Sequence, residues 1–265
     1  MSLRVAVVSI GRSGTSLISR ILHEVLRVDF GNETDHIPRD YNNADGYFEN
    51  AEFFALNERI LKAAGASLLS PPPVAYLSTL ASTLHDAFVK EAAMLLAKFA
   101  GQTPAFGWKD PRLSLTFPIW QAACPSVVPI IPFRKPVSVL SSISSQFDRP
   151  LESLSHLWFA YYQRVFSYTE ETRRHILNFD NLLAEPAQAV MCIARHLGIH
   201  VDPTRVQKQL TEIVKLRQPR HLSVVRSADH SPTLEPQTFS LYDYLCASTM
   251  GGGQPDAHHL QTLIR

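Results

Sequence analysis

Two hydrophobic patterns follow one another at the start of the chain. Residues 4–10 (RVAVVSI) are a short β-branched run that ends at Gly11. Apolar side chains then recur at residues 17, 18, 21, 22, 25 and 26, a spacing typical of an amphipathic helix. The sequence therefore predicts a buried strand, a turn over residues 11–16 (GRSGTS), and a helix. Because backbone N–H groups at a helix start face incoming anions, this turn is a candidate anion site.

Three later apolar runs are separated by segments with helical periodicity. They cover residues 105–109, 127–133 and 175–179. Strands that alternate with helices are typical of a parallel sheet, so we predict the α/β class, with a central parallel sheet in a three-layer α/β/α arrangement. Pro129 and Pro132 interrupt the second run. Since proline has no N–H for a ladder, we expect this strand to be short, bulged or near a sheet edge.

The remaining patterns divide the chain into a domain and a tail. Polar residues 31–50 precede two predicted helices, 51–64 and 85–100, on either side of a triple-proline break. We interpret residues 51–100 as a helical insertion that covers the anion site. Proline, glycine and serine accumulate from residue 229 onward. We therefore predict one domain over residues 1–228 and a partly irregular tail over residues 229–265.

Composition narrows the class of protein. The 265 residues are 45% hydrophobic, which is enough for one α/β domain with a sizeable core. A net charge of +1 gives no general attraction for nucleic acid, so any anion site must be local. The three cysteines match neither a zinc site nor a disulfide framework, and no apolar run reaches the length of a membrane span. We expect a cytoplasmic protein without a membrane-spanning segment.

The GRSGTS turn differs in content from the P-loop of nucleotide triphosphatases. It lacks the Gly-Lys pair of that motif. Its cation, Arg12, comes early and precedes Ser13, while Gly14 permits close approach and Thr15 and Ser16 supply hydroxyl groups. Such a turn suits a tetrahedral oxyanion, although turns of this composition also occur for purely structural reasons.

A second anion motif follows the run at residues 127–133. Arg134 stands at the predicted end of that strand, and Ser142 comes eight residues later, in the helix that Pro136 begins. An arginine at a strand end and a serine two turns into the next helix are placed to bind a second phosphate together.

These two motifs resemble those of the sulfotransferase family that uses 3'-phosphoadenosine 5'-phosphosulfate (PAPS), over most of residues 4–198. GRSGTS resembles the 5'-phosphosulfate loop of that family, and Arg134-x-Pro136 with Ser142 resembles its 3'-phosphate motif. Segments similar to those of a bacterial branch follow in order: GYFE at 46–49, KDPR at 109–112 and FDNLLAEP at 179–186.

The chain also departs from the family pattern. Arg12 and Phe179 stand where cytosolic members usually have lysine and tyrosine. The basic, glycine-containing motif near the carboxyl terminus of mammalian members is absent, and their histidine base has no clear counterpart.

The resemblance implies a P-loop-like fold and a PAPS-dependent sulfotransferase. Such an enzyme transfers a sulfuryl group to a hydroxyl or amine of an acceptor and leaves adenosine 3',5'-bisphosphate (PAP). The sequence does not identify this small-molecule or saccharide acceptor, for which the bacterial branch suggests a saccharide or glycolipid. It implies that residues 12–16 bind the 5' side, that Arg134 and Ser142 bind the 3' phosphate, and that no metal is required. Arg12 and Lys109 are the expected catalytic cations, because sulfuryl transfer depends mainly on positioning and charge stabilisation.

The general base is less determined by the sequence. Glu49 is our candidate, since some branches carry a catalytic glutamate in this segment and Tyr47 and Phe48 are placed to desolvate it. An exposed loop glutamate or a cap of the next helix explains the same residue equally well. Other candidates in the sequence are Glu33, Asp35, His36 and Asp110.

Two other functions stay open at this point. A P-loop kinase is one, because residues 176–180 (ILNFD) imitate a strand that ends in a metal-binding aspartate, although the missing Gly-Lys pair argues against it. A nucleotide-binding relative without catalytic activity is the other. Apart from the resemblance, Lys109 is also explained as a surface lysine beside Trp108, and Arg112 as a partner of Asp110.

Overall fold

The computed structural model describes residues 2–38, 48–76, 80–101, 103–215 and 234–265. In these ranges four parallel strands form one sheet in the order β2-β1-β3-β4. The strands are β1 (Leu3–Val7), β2 (Ala105–Lys109), β3 (Val128–Phe133) and β4 (His175–Asn178). All four predicted strands are therefore present, and the α/β class is confirmed.

Helices connect the strands and follow the last one. Those between β1 and β2 are α1 (Thr15–Glu24), α2 (Ala51–Ala63) and α3 (Ser82–Ala100); those between β2 and β4 are α4 (Leu113–Ala123), α5 (Pro136–Phe147) and α6 (Leu157–Tyr168). After β4 come α7 (Phe179–Ala184), α8 (Pro186–Leu197), α9 (Pro203–Lys215), α10 (Pro236–Thr249) and α11 (Ala257–Ile264). Both helices predicted in the insertion exist, and α3 begins three residues before its predicted start.

Alternate strand residues supply two hydrophobic cores, one on each face of the sheet. Ala6 and Trp108 belong to the core that contains buried side chains of α2, α3, α4 and α6. Val7 and Ile130 belong to the core shared with α1, α8 and α9. Because successive side chains of a strand point to opposite faces, this division gives the three-layer α/β/α arrangement.

The expectation that prolines place β3 near a sheet edge is wrong, because β3 lies between β1 and β4. Backbone polar groups of successive strand residues point to alternate neighbours. The carbonyl of Ile130 accepts from Val8 N–H, directly after β1, so Pro132 faces the same side. There its carbonyl accepts from Ser9 Oγ at 2.6 Å, beyond the end of β1. Pro129 faces the other side, before the first paired residue of β4. Neither proline stands where the ladder requires an N–H donor.

The carboxyl-terminal residues are more ordered than their composition indicated. The predicted boundary at residue 228 lies outside the described residues, so the division into domain and tail stays a prediction. Residues 234–265 nevertheless contain α10 and α11 rather than mainly irregular backbone. Leu241, Leu245 and Leu260 are fully buried in the core that also contains α6. Periodic apolar positions in these helices thus outweigh the nearby prolines and glycines.

Within the described ranges, no helix combines the length and the apolar character needed to cross a membrane.

A buried histidine on β4 makes folding sensitive to acid. The His175 ring lies 5.1 Å from that of His196 on α8, centroid to centroid. Burial first, and then His196, lower the pKa of His175 to about 4. Between pH ~6.5 and pH ~4, His175 binds a proton in the unfolded chain but stays mostly neutral in the folded chain. The free energy of unfolding therefore falls as the pH drops through this range.

We expect His175 to account for a loss of about 2 kcal/mol in unfolding free energy between pH 7 and pH 5. Urea unfolding at both pH values measures this loss. The substitution His175→Phe should remove most of this loss of about 2 kcal/mol from the pH dependence. His258→Phe, which changes an exposed histidine of α11, is the control and should keep the full dependence. An equal pH dependence in wild type and His175→Phe would contradict the assignment.

Candidate active site

The candidate site lies where three adjacent strands end. The β1–α1 loop, the turn after β2 and the turn after β3 share one edge of the sheet, because β2, β1 and β3 are neighbouring parallel strands. The first two connections are in contact, since a Cβ atom added to Gly11 would lie 3.7 Å from the Pro111 side chain. The topology therefore brings the predicted loop and the KDPR segment together.

The β1–α1 loop turns through left-handed backbone at two residues. Gly14 has φ 87° and Arg12 has φ 68°. Gly14 is required for space as well, because a Cβ atom there would lie 2.1 Å from the Phe179 ring. At Arg12 this conformation costs roughly 1–2 kcal/mol, which the surrounding contacts must offset. The helix N-cap is Gly14, and a cap without a side chain leaves the first N–H groups of α1 to an outside acceptor.

Arg12 connects the two predicted anion-binding motifs, the GRSGTS loop and the motif formed by Arg134 and Ser142. Its Nε donates to Ser142 Oγ at 2.8 Å. Pro136 is the first residue of α5, as predicted, and this start places Ser142 on the second turn of the helix. The GRSGTS loop and the strand-end motif therefore meet at one place, although they are 130 residues apart in the chain.

Arg134 lies beside Phe179 and Asp180 at the end of β3. Its guanidinium carbon is 5.5 Å from the centroid of the Phe179 ring, and its Nε is 3.8 Å from Asp180 Oδ1. The Arg134 side chain is 14% exposed, and Nε makes no hydrogen bond to the described residues. A mostly buried guanidinium with an unused donor is suited to bind an anion.

The Ser13 side chain turns toward the core rather than toward the loop opening. Ser13 is completely buried, and its hydroxyl lies 3.4 Å from the Tyr162 hydroxyl. The Tyr162 hydroxyl in turn donates to Pro132 O at 2.9 Å. The Ser13 hydroxyl therefore points away from the loop opening, while Thr15 and Ser16 begin α1.

Lys109 and Glu49 form a buried ion pair. Lys109 Nζ donates to Glu49 Oε1 at 2.5 Å and to Ser16 Oγ at 3.3 Å. The two residues are only 3% and 4% exposed. The interpretation of Lys109 as a surface lysine is therefore wrong, and the ammonium links Glu49 to the first turn of α1.

The segment that carries Glu49 is fixed on both sides. Ile37 N–H donates to Glu49 O at 2.8 Å, and the preceding Phe48 packs its ring 5.8 Å from that of Phe30. Asn50, not Glu49, caps α2, since its side chain accepts from two N–H groups of the first turn. Both alternative explanations of Glu49, an exposed glutamate and a helix cap, are thus wrong. Gly46 and Tyr47 of the GYFE segment lie outside the described residues.

Burial raises the pKa of Glu49 to about 7, against the opposing effect of the Lys109 ammonium; the Asp110 carboxylate adds a smaller increase. Glu49 Oε2 is buried and has no hydrogen-bond partner among the described residues. A carboxyl group with a pKa near neutrality and a free oxygen is equipped to take up a proton.

The other acidic and histidine candidates either make hydrogen bonds with other residues or lie in a short segment without buried side chains. Asp110 accepts from Arg112 N–H and Nη1 and from Asn57, so the suggested Arg112–Asp110 contact exists. His36 makes a hydrogen bond with Phe30 O at 2.8 Å. Glu33 and Asp35 lie in a short 3-10 helix, Glu33–Asp35, that contains no buried residue.

One buried polar residue of this region was missed from the sequence. Asn57 of α2 has no exposed surface and binds Asp110. A signal existed, because Asn57 falls among the apolar positions 53, 56, 60 and 61, at the spacing of a buried helix face. An asparagine on such a face requires hydrogen-bond partners in the core.

Asp180, on which the kinase alternative depended, lies in the first turn of α7 and pairs with Arg134. Within the described ranges, no cluster of three or more His, Cys, Asp or Glu side chains is arranged to bind a metal ion.

A parallel sheet whose strands end at a glycine-containing loop and buried cations is typical of proteins that bind phosphate or sulfate groups. Within that class, the model of the sulfotransferase family matches residues 4–203, and the chain therefore belongs to this family. This membership supports sulfotransfer activity.

No curated protein sequence matches the chain. Two solved structures are similar to it. The sulfotransferase domain from the curacin biosynthetic pathway is 13% identical over 77% of each chain, with a TM-score of 0.45. Sulfotransferase STF1 from Mycobacterium tuberculosis H37Rv is 14% identical over 80% of this chain and 71% of that chain, with a TM-score of 0.49.

Removing one member of the buried ion pair should destabilise the fold. Lys109→Met leaves the Glu49 carboxylate without its counter-ion, and we expect a loss of about 3 kcal/mol at pH 8. The loss should be smaller at pH 6, where the isolated carboxyl group takes up a proton. Urea unfolding at both pH values measures this effect.

Lys98→Met is the matched control, because it removes a lysine–glutamate pair that is mostly exposed. We expect it to change stability by less than about 1 kcal/mol. Equal effects of the two substitutions would show that the buried Glu49 carboxylate does not depend on Lys109 as its counter-ion.

Proposed function

We propose that this sulfotransferase takes its sulfuryl group from PAPS and transfers it to a hydroxyl or amine of a small-molecule or saccharide acceptor. The observation that carries this proposal is the Arg12–Ser142 hydrogen bond, which joins the two anion motifs. Two adjacent anion sites match a donor that carries phosphate groups at both ends of one ribose. A donor with a single phosphate chain does not need both.

The residues fit such a donor on each side. On the 5' side, residues 12–16 offer a guanidinium, hydroxyl groups and the first N–H groups of α1. For the 3' phosphate, Arg134 offers a buried Nε without a hydrogen-bond partner in the described residues, and Ser142 offers a hydroxyl. Arg12 lies between the two sides, so it is placed to contact the donor as well as Ser142.

When bound, PAPS supplies a sulfuryl group whose sulfur–oxygen bond to the 5' phosphate breaks as a new bond to the acceptor forms. Arg12 and Lys109 then stabilise the negative charge that grows on the leaving phosphate oxygen. Charge stabilisation of this kind is worth about 3 kcal/mol for one well-placed donor. Lys109 suits this role because Ser16 and Glu49 already fix its ammonium in a site almost closed to water.

Glu49 is the proposed general base. Its Oε2, which has no partner among the described residues, accepts the proton that the acceptor group loses. Burial keeps the pKa of Glu49 at about 7, close to the value at which a base is both ionised and able to hold a proton.

Calorimetric titration with PAP tests the donor site. We expect the wild type to bind PAP without magnesium, and Arg134→Ala to weaken PAP by ~10- to 100-fold, because charge-assisted hydrogen bonds to the 3' phosphate are lost. Binding of adenosine 5'-phosphate should change by less than ~2-fold, since that ligand has no 3' phosphate. Equal losses for both nucleotides would contradict the assignment of Arg134.

Lys135→Ala is the control for that titration, because it removes a neighbouring charge that is exposed to solvent. It should leave PAP affinity unchanged within about twofold. A wild type that binds magnesium–ATP but not PAP would refute the proposed function itself.

Glu49→Gln should lower kcat by ~10²- to 10³-fold, because the amide accepts no proton from the acceptor. PAP affinity should change little. Since the base must be ionised, wild-type kcat should rise with pH to a plateau above pH ~7, and Glu49→Gln should lack this rise. Transfer of labelled sulfate from PAPS to a panel of hydroxyl and amine acceptors measures both effects.

Glu52→Gln, an exposed position in the first turn of α2, serves as the control and should keep the wild-type rate. An unchanged rate in Glu49→Gln would exclude Glu49 as the base.

A further inference from the structure

Helix α2 is attached to the end of β2 at two points. Glu49, which precedes the helix, pairs with Lys109, the last residue of β2. On the second turn of α2, Asn57 Nδ2 donates to Asp110 Oδ2 at 2.9 Å. Asn57 and Asp110 are completely or almost completely buried. Two consecutive residues at the strand end are therefore held by the same helical segment.

The Asn57 amide is fixed in one orientation by α4. Its Oδ1 accepts from Trp120 Nε1 at 2.8 Å and from Thr116 Oγ1 at 2.7 Å. Since the indole nitrogen only donates, the atom that faces it must be the amide oxygen. The NH₂ group then faces Asp110, so the contact between α2 and the strand end has no freedom to flip.

The other oxygen of Asp110 is also occupied. Asp110 Oδ1 accepts from Arg112 N–H at 2.9 Å and from Arg112 Nη1 at 3.2 Å. Arg112 in turn pairs with Glu58, and its guanidinium carbon lies 4.0 Å from the centroid of the Phe54 ring. One face of α2, formed by Phe54, Asn57 and Glu58, thus binds the whole turn that follows Lys109.

We propose that Asn57 is a positioning residue for sulfuryl transfer. Asn57 acts through Asp110 to hold the Lys109 ammonium between Glu49 and Ser16. This inference rests on the proposed function. Lysine has a long flexible side chain, so a fixed backbone is needed for one ammonium to reach two partners at once. Displacement of the strand end by about 1 Å would break one of these contacts, and errors of that size cost enzymes ~10²-fold in rate.

An exchange of side chains across the contact tests the link. Asn57→Asp sets two carboxylates against each other, and Asp110→Asn sets two NH₂ groups against each other or against Arg112 N–H. We expect each single substitution to lower kcat at least ~10-fold. The double variant again pairs one amide with one carboxylate, now exchanged between residues 57 and 110, so kcat should return to within about threefold of wild type.

The KM for PAPS separates positioning from donor binding. It should change by less than about threefold in all of these variants, because Asn57 lies outside the proposed donor site. Gln261→Leu is the control for damage to the core, since it removes another buried amide, which donates to Phe166 O on α6. This variant should lose stability but keep the wild-type kcat. Wild-type kcat in both single variants, or no recovery in the double variant, would overturn the inference.

A second measurement requires neither turnover nor a variant that places two carboxylates side by side in the core. Asn57→Leu removes the amide without adding a charge, and carbon-13 NMR follows the titration of the Glu49 carboxyl group. The charged groups that face Glu49 are Lys109 and Asp110. If the variant releases Lys109, Glu49 loses its nearest counter-ion, and its pKa should rise above the wild-type value of about 7.

An unchanged or lowered pKa in Asn57→Leu would overturn the inference even if the donor proved not to be PAPS. Conversely, a wild type that fails to transfer sulfate from PAPS would refute the proposed function, while the NMR titration would still decide whether Asn57 positions Lys109.

Discussion

The ion pair between Glu49 and Lys109 places opposite charges in a part of the protein that is almost closed to water. Burying either charge alone would cost several kcal/mol, so the buried pair is stable only while the ammonium and the carboxylate stay in contact. This requirement connects three parts of the chain: the segment before α2, the end of β2 and the first turn of α1. The segment before α2, which precedes the predicted insertion, is therefore an integral part of the candidate site.

The same constraint explains why so much polar structure surrounds the end of β2. A buried carboxylate such as Asp110 is costly unless its oxygens accept hydrogen bonds, and Asp110 accepts them from Asn57 and from the Arg112 turn. A half-satisfied network would be unstable in a low-dielectric environment, whereas a complete one is rigid. Rigidity at this point is what the role proposed for Lys109 requires.

Much of this architecture could be predicted from the sequence, because it depends on local patterns. The strands follow apolar runs, and the start of α5 follows Pro136, so the position of Ser142 two turns later was predictable as well. The place of β3 in the sheet was not, since it depends on where the neighbouring strands begin and end relative to Pro129 and Pro132. No local pattern contains that information.

The carboxyl-terminal helices and Asn57 were missed for a related reason. The glycine and proline residues of this region lie mainly in the segments between helices, so composition alone predicted irregular backbone. Only the periodic spacing of the buried leucines indicates α10 and α11. Asn57 resembles a surface residue until its neighbours on the helix face are considered. For the proposed base, the sequence left Glu49 among several candidates. Tertiary structure distinguishes it from the equally buried Asp110, because Glu49 Oε2 has no hydrogen-bond partner among the described residues, whereas both Asp110 oxygens accept hydrogen bonds.

The Phe179 ring connects the two anion motifs in a further way. It contacts the backbone of Gly14, where no side chain fits, and it also lies beside the Arg134 guanidinium. One aromatic ring is thus shared by the loop and the arginine. A smaller or larger side chain at residue 179 would consequently change the packing of both candidate anion motifs at once.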